Sequence, residues 1–174
     1  DYLIINTEKQ LYITDRRGNI RVKIHENLNV SGQEIFINQN LFITIDRFNN
    51  LVRIDVNGKI SKKPLPLETS YLITANNDKL VTISENIVTI NDKIIELPFG
   101  NYTSPKIFKI KNQDFISITD KDQEKIYLFD SKTNLIDNFP IFGTNSIDLS
   151  INKKGEKFIS SSGESNEVLV YSIN

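Results

Sequence analysis

The feature that most constrains this chain is a phrase of two apolar strands that recurs five times. In each copy an apolar run passes through a polar turn into a second apolar run, which closes on Asp, Asn or Ser. The copies begin at Tyr2, Leu41, Leu80, Phe115 and Phe158. A period of roughly 40 residues is typical of a four-stranded propeller blade. The repeat therefore predicts an all-β fold, a β-propeller segment of about five blades.

Composition favours strands over helices. Hydrophobic residues make up 39% of the 174-residue chain, and Ala75 is its only alanine. Alanine is the strongest helix former, whereas β-branched and aromatic side chains prefer strands. We therefore expect the five phrases and the segments between them to form sheets.

The remaining apolar segments supply the other strands of each blade. Those that precede a phrase are predicted as the innermost strand A, at residues 34–37, 71–74, 107–110 and 147–151. The phrase itself is strands B and C. The outermost strand D follows a turn, at residues 20–22, around residue 60, and at residues 94–95 and 135–136.

Turn residues and prolines agree with this assignment. Gly18 and Gly58 supply the positive φ that the hairpins after strand C need, and the Asp or Asn that ends strand C is placed to bond its own turn. A proline lacks the N–H that a central strand requires. All five prolines are predicted in strand D or in the link to the next blade: Pro64, Pro66, Pro98, Pro105 and Pro140.

Residues 1–174 are predicted to be a single propeller domain or the C-terminal part of one. The blades cover approximately residues 1–30, 31–67, 68–102, 103–142 and 143–174. The first lacks strand A and the last lacks strand D. Because these two ends do not complete one blade, we expect the chain to be the carboxy-terminal part of a longer polypeptide.

Charge and residue usage exclude several classes of function. The 21 basic and 22 acidic residues are scattered along the chain, so we expect no nucleic-acid partner. No apolar run is long enough to be a transmembrane helix. There is no cysteine, which removes disulfides and thiolate metal sites.

Few residues are candidates for chemistry. The only histidine, His25, lies in a polar stretch and is expected to be a solvated loop residue. The spacing of Asp120, Asp122 and Glu124 suits oxygen ligands for a hard cation, although acidic hairpins are usually present for solubility. Sialidase-like and quinone-cofactor propellers have repeats that end in Trp. This chain has no tryptophan and does not resemble them. We predict a protein that is not an enzyme, with no catalytic, cofactor-binding or metal residue and no cofactor.

Aromatic residues cluster in two links between blades, at residues 99–102 and 139–143. Such links run across one face of a propeller, where exposed rings would be available to a partner. The alternative is that the rings fill the wedge between blades, where a propeller buries most of its apolar surface. We expect the second arrangement.

The final third resembles the last blade of large secreted or outer-membrane lipoproteins of Bacteroidota. The resemblance rests on residues 139–149, on the hairpin at residues 152–155 and on the Leu-Val-Tyr strand at residues 169–171. The hairpin is similar to FG-GAP and VCBS repeats, which bind calcium through carboxylates. Asn152, Lys153 and Lys154 stand at those positions, so the resemblance does not imply calcium binding. The resemblance implies a non-enzymatic propeller in the cell envelope.

These observations favour an interaction or scaffold module of a bacterial cell-envelope protein, associated with the outer membrane on its periplasmic or surface side. Its partners are expected to be proteins of an outer-membrane or secretion assembly. The alternative is a carbohydrate-binding or carbohydrate-active propeller whose active groups lie partly outside this segment. A glycan ligand is therefore kept as an alternative. A structural spacer is a third hypothesis.

Overall fold

The computed structural model describes residues 2–7, 10–26, 28–30, 33–66 and 71–173. These residues form eighteen β-strands in five sheets and one 3₁₀ turn, and they contain no α-helix. In every sheet, strands that follow one another in the chain lie side by side. This meander is the strand order of a propeller blade.

The strand bounds follow the predicted repeat. The first and second sheets contain β1 (Tyr2–Asn6), β2 (Leu11–Asp15), β3 (Ile20–Ile24), β4 (Phe36–Asn38), β5 (Leu41–Ile45), β6 (Asn50–Ile54) and β7 (Ile60–Pro64). The third sheet contains β8 (Leu72–Ala75), β9 (Leu80–Ser84), β10 (Ile87–Ile90) and β11 (Lys93–Glu96). The fourth and fifth sheets contain β12 (Lys106–Ile110), β13 (Gln113–Asp120), β14 (Lys125–Phe129), β15 (Ile141–Phe142), β16 (Asp148–Ile151), β17 (Lys157–Ser162) and β18 (Val168–Ile173).

The chain divides into two compact units, Asp1–Leu80 and Val81–Asn174. A core cluster of the first unit includes Ile13 and Ile54, which are fully buried. A cluster of the second unit includes Ile126 and Ile159, also fully buried. The prediction of a single domain over residues 1–174 stays a prediction.

The hairpins after strand C have the predicted turn chemistry. Gly18 and Gly58 both adopt a φ of +82°. The Oδ1 atom of Asp15 accepts hydrogen bonds from the backbone N–H groups of Arg17 and Asn19, at 2.9 and 3.0 Å. Asp130 makes the same pair of bonds in the fourth sheet, at 2.8 Å each.

The outermost strand of the fourth sheet differs from the prediction. Residues 135–136 were expected to form it, but Leu135 makes only an isolated bridge to Phe129. The pairing resumes at β15, which lies against the start of β14. Asn138 has a φ of +66° and Pro140 has no N–H, so the segment between them cannot continue the ladder. The predicted link at residues 139–143 therefore contains part of the strand.

Candidate functional site

The residues proposed for chemistry are not gathered in one place. His25 is exposed just beyond β3. In the part of the chain that the structure describes, no three His, Cys, Asp or Glu side chains are grouped so that they could hold a metal ion. The described residues also include no helix with the length and hydropathy needed to cross a membrane.

The acidic triplet at the hairpin between β13 and β14 does not converge. Asp120 is the last residue of β13 and is fully buried. Asp122 is exposed and Glu124 is half-buried at a turn position with a φ of +53°. The triplet is therefore split between the core and the surface.

Asp120 instead holds the preceding link against the fourth sheet. Its Oδ1 atom accepts hydrogen bonds from the backbone N–H groups of Asn101, Asp122 and Gln123, at 3.2, 3.0 and 3.2 Å. Its Oδ2 atom has no hydrogen-bond partner and lies over Gly100, where an added Cβ would be 2.1 Å away. The close approach of this carboxylate therefore requires glycine at position 100.

The charge of Asp120 affects the pKa of two tyrosines, Tyr102 and Tyr127. Burial raises the pKa of Tyr102 well above the ordinary value of 10.0, and the negative charge of Asp120 raises it further. The same two causes raise the pKa of Tyr127. The Tyr102 hydroxyl donates a hydrogen bond to the Pro98 carbonyl. Because these phenols stay protonated, the cluster suits a structural donor better than a general base.

The two aromatic links show both predicted arrangements, rings that pack into the core and rings exposed to solvent. Tyr102 is buried, and Phe139 packs against the cluster of the fourth and fifth sheets. Phe99 and Phe142 are exposed, with 78% and 41% of their surface accessible. The first link buries Tyr102 and exposes Phe99, and the second partly buries Phe139 and exposes Phe142.

The feature best suited to binding is the outer edge of the fifth sheet. β18 pairs with β17 along its whole length, and among the described residues no strand pairs with its other edge. Val168 and Val170 are 76% and 64% exposed. An edge of this kind presents unpaired backbone groups that can accept another strand.

A depression lined by both polar and apolar residues runs beside this edge, with a volume of about 320 Å³. We call it the β18 groove; it is lined by Ile136, Asp137, Asn138, Phe139, Ile141, Tyr171, Ser172 and Ile173. The Tyr171 hydroxyl donates a hydrogen bond of 2.9 Å to the Phe142 carbonyl, which fixes one side of the groove to the other. The groove thus lies between the last strand and the irregular outer segment of the fourth sheet.

Sequence reasoning identified the open edge but not the groove. The strand count had left the last blade without strand D, which is the signal for the edge. Ile136 is predicted in a regular strand; Pro140, which has no N–H, is the local signal that the strand breaks, but the sequence does not show that a depression is left beside Tyr171 and Ile173.

Comparisons with known proteins show the fold. No protein-family model matches the chain, and no curated protein matches it. Virginiamycin B lyase from Staphylococcus aureus is similar in structure, with a TM-score of 0.59 and 16% identity over 99% of this chain and 69% of the lyase chain. BamB from Moraxella catarrhalis has a TM-score of 0.59 and 10% identity over 100% of this chain and 61% of that chain.

A third similar structure is PorZ of Porphyromonas gingivalis, described as an essential bacterial surface component of the type-IX secretion system. It has a TM-score of 0.57 and 16% identity over 99% of this chain and 26% of that chain. These structures confirm the predicted fold class, a β-propeller segment with incomplete first and last blades. They include both an enzyme and a surface component, so the shared fold does not fix the activity.

Proposed function

We propose that this chain is a non-enzymatic interaction module of a bacterial cell-envelope protein, and that it binds other proteins. The observation that carries the proposal is the edge of β18, with which no strand pairs among the described residues, beside the β18 groove. The edge of a sheet can bind an extended segment of another protein through main-chain hydrogen bonds, while neighbouring pockets take its side chains. Scattered surface apolar residues would carry no such meaning, but here the exposed edge and the groove adjoin.

The envelope location is supported by two independent likenesses. The final third of the chain resembles the last blade of Bacteroidota envelope lipoproteins, and the fold is shared with a bacterial surface component of a secretion system. We place the module at the outer membrane, on the periplasmic or the surface side. A lipoprotein anchor and a secretion-assembly partner are parts of the same proposal.

Site-specific crosslinking tests the proposal directly, because the chain has no cysteine of its own. Val170→Cys places one thiol on the open edge, and Ile94→Cys places one at a site of similar exposure, 68% against 64%, on the outermost strand of the third sheet. Each variant of the full-length protein is expressed in its native host and treated with a thiol-reactive crosslinker.

We expect the thiol at position 170, and not the one at position 94, to crosslink to a protein of the envelope. The proposal would be contradicted if neither thiol crosslinked and the purified protein hydrolysed a polysaccharide. That result would favour a carbohydrate-active propeller instead.

A further inference from the structure

One end of the second unit is a continuous surface of hairpins and links. In the link after β11, the Leu97 N–H donates to the Asn86 carbonyl, and the Asn86 side-chain amide donates to the Leu97 carbonyl, both at 2.9 Å. Farther along this link, the Asn101 carbonyl accepts a hydrogen bond of 2.8 Å from the Lys121 N–H. The link between the third and fourth sheets is therefore bonded to the β9–β10 turn and to the β13–β14 hairpin.

The same surface continues to the fifth sheet. The Gly143 N–H donates to the Glu124 carbonyl of the β13–β14 hairpin at 2.9 Å. The Thr144 hydroxyl donates to the carbonyls of Ser162 and Gly163, at 3.0 and 3.4 Å. We call the whole the link surface; it consists of residues 85–86, 97–105, 121–124, 143–147 and 163–167.

Charge distinguishes the link surface from the opposite end of the same unit. It contains one basic residue, Lys121, and five acidic ones: Glu85, Asp122, Glu124, Glu164 and Glu167. At the opposite end, four basic and four acidic residues lie between the strands, at residues 91–92, 111–112, 130–140 and 152–156. The link surface therefore favours a positively charged partner.

A buried carboxylate adds to this negative charge. Asp120 is fully buried beside Gly100 of the link, and its Oδ2 atom has no hydrogen-bond partner among the described residues. Salt screens a buried charge less than an exposed one. The attraction for a basic partner is therefore centred on the link that carries Gly100.

Phe99 is the apolar anchor of the link surface. Its ring is 78% exposed, although Leu97 and Tyr102 on either side of it are buried. Phe142, which is 41% exposed, borders the other side of the β13–β14 hairpin, where it pairs with Lys125. Phe99 lies between the third and fourth sheets, which have four strands each, so its exposure does not arise from an unpaired edge. Aromatic side chains within a polar rim are typical of protein interfaces.

We propose that the link surface is a docking site for a partner protein that presents Lys and Arg side chains around an apolar pocket. The pocket receives the ring of Phe99. The basic side chains meet Glu85 and Asp122, which lie in the two turns that are bonded to the link before and after this ring. This inference goes beyond the proposed function, because it concerns a second surface and does not depend on the edge of β18.

Photocrosslinking beside Phe99 tests the proposal in the full-length protein, expressed in its native host. Asn101→Cys places a thiol two residues from the ring. Asn112→Cys is the matched control, in the β12–β13 turn at the opposite end of the fourth sheet, and both asparagines are exposed. Each thiol is labelled with a photoactivatable crosslinker, and mass spectrometry identifies the crosslinked peptide.

We expect the thiol at position 101, and not the one at position 112, to crosslink to another protein, at a peptide that contains Lys or Arg. In the Asn101→Cys background, Phe99→Ala should lower the yield about tenfold, because the anchor is lost. Asp122→Lys should lower it about threefold, and Asp92→Lys, a reversal at the opposite end, should leave it unchanged. Circular dichroism verifies the folding of each variant; if Phe99→Ala does not fold, the two charge reversals decide the question.

No crosslink at position 101, or a yield that Phe99→Ala and Asp122→Lys leave unchanged, would overturn the proposal. A crosslinked peptide from the same polypeptide, whether from another segment or from a second copy, would also overturn it, because the chain itself would then cover the surface. Crosslinking at position 170 but not at position 101 would reject this inference alone and leave the proposed function intact. Crosslinking at position 101 but not at position 170 would support the link surface and reject the edge of β18.

Discussion

The fourth and fifth sheets have the same strand order but differ in how their edges and faces are used. The fourth sheet has an outermost strand, and its β13 and β14 are buried except at their first residues. Among the described residues the fifth sheet has no such strand, and β18 alternates exposed and half-buried residues. The difference indicates that the fourth sheet contributes more to stability than the fifth.

The largest expected effect comes from a matched pair of truncations. Ile126→Ala removes a fully buried side chain from β14, whereas Val170→Ala truncates one that is 64% exposed on β18. We expect the first to lower the free energy of unfolding by about 3 kcal/mol and the second by less than about 0.5 kcal/mol. Urea denaturation of both variants measures the two losses. Equal losses would contradict the difference in stability between the fourth and fifth sheets.

The next effect concerns two glycines in the same sheets. Gly100→Ala would place a Cβ 2.1 Å from the Asp120 carboxylate, whereas Gly155→Ala in the hairpin of the fifth sheet meets open space at a φ of +89°. We expect losses of about 2 kcal/mol for the first from the clash and about 1 kcal/mol for the second from backbone strain.

A double substitution identifies the cause at position 100. In an Asp120→Ala background, Gly100→Ala should cost less, because the carboxylate that it would meet is gone. Additive losses in urea denaturation would show that the carboxylate does not restrict this position.

The smallest expected effect is a loss of stability at alkaline pH, caused by the two tyrosines near Asp120. Burial, and then the charge of Asp120, raises the pKa of Tyr102 and Tyr127 above 10.0. Above that pH the unfolded chain loses these protons and the folded chain retains them, so the free energy of unfolding falls as pH rises. Tyr102→Phe should make this fall shallower in urea denaturations from pH 9 upward. A slope identical to that of the original chain would contradict the assignment.

The repeat made the strands predictable from the sequence. The features that could not be predicted depend on tertiary contacts. An apolar run that closes on Asp specifies both a strand and its turn, as Asp15 and Asp130 show. The orientation of Asp120 could not be inferred in the same way, because it depends on the approach of Gly100 from a different part of the chain. The groove likewise depends on how the segment around Ile136 and Phe139 packs beside Tyr171 and Ile173 of a different sheet.

Amide hydrogen exchange followed residue by residue tests the central claim, that the buried fourth sheet is more stable than the fifth. In the free chain we expect β14 to be protected throughout and alternate amides of β18 to exchange rapidly, since one edge of β18 has no paired strand among the described residues. Equal protection of the β14 and β18 amides would contradict the account.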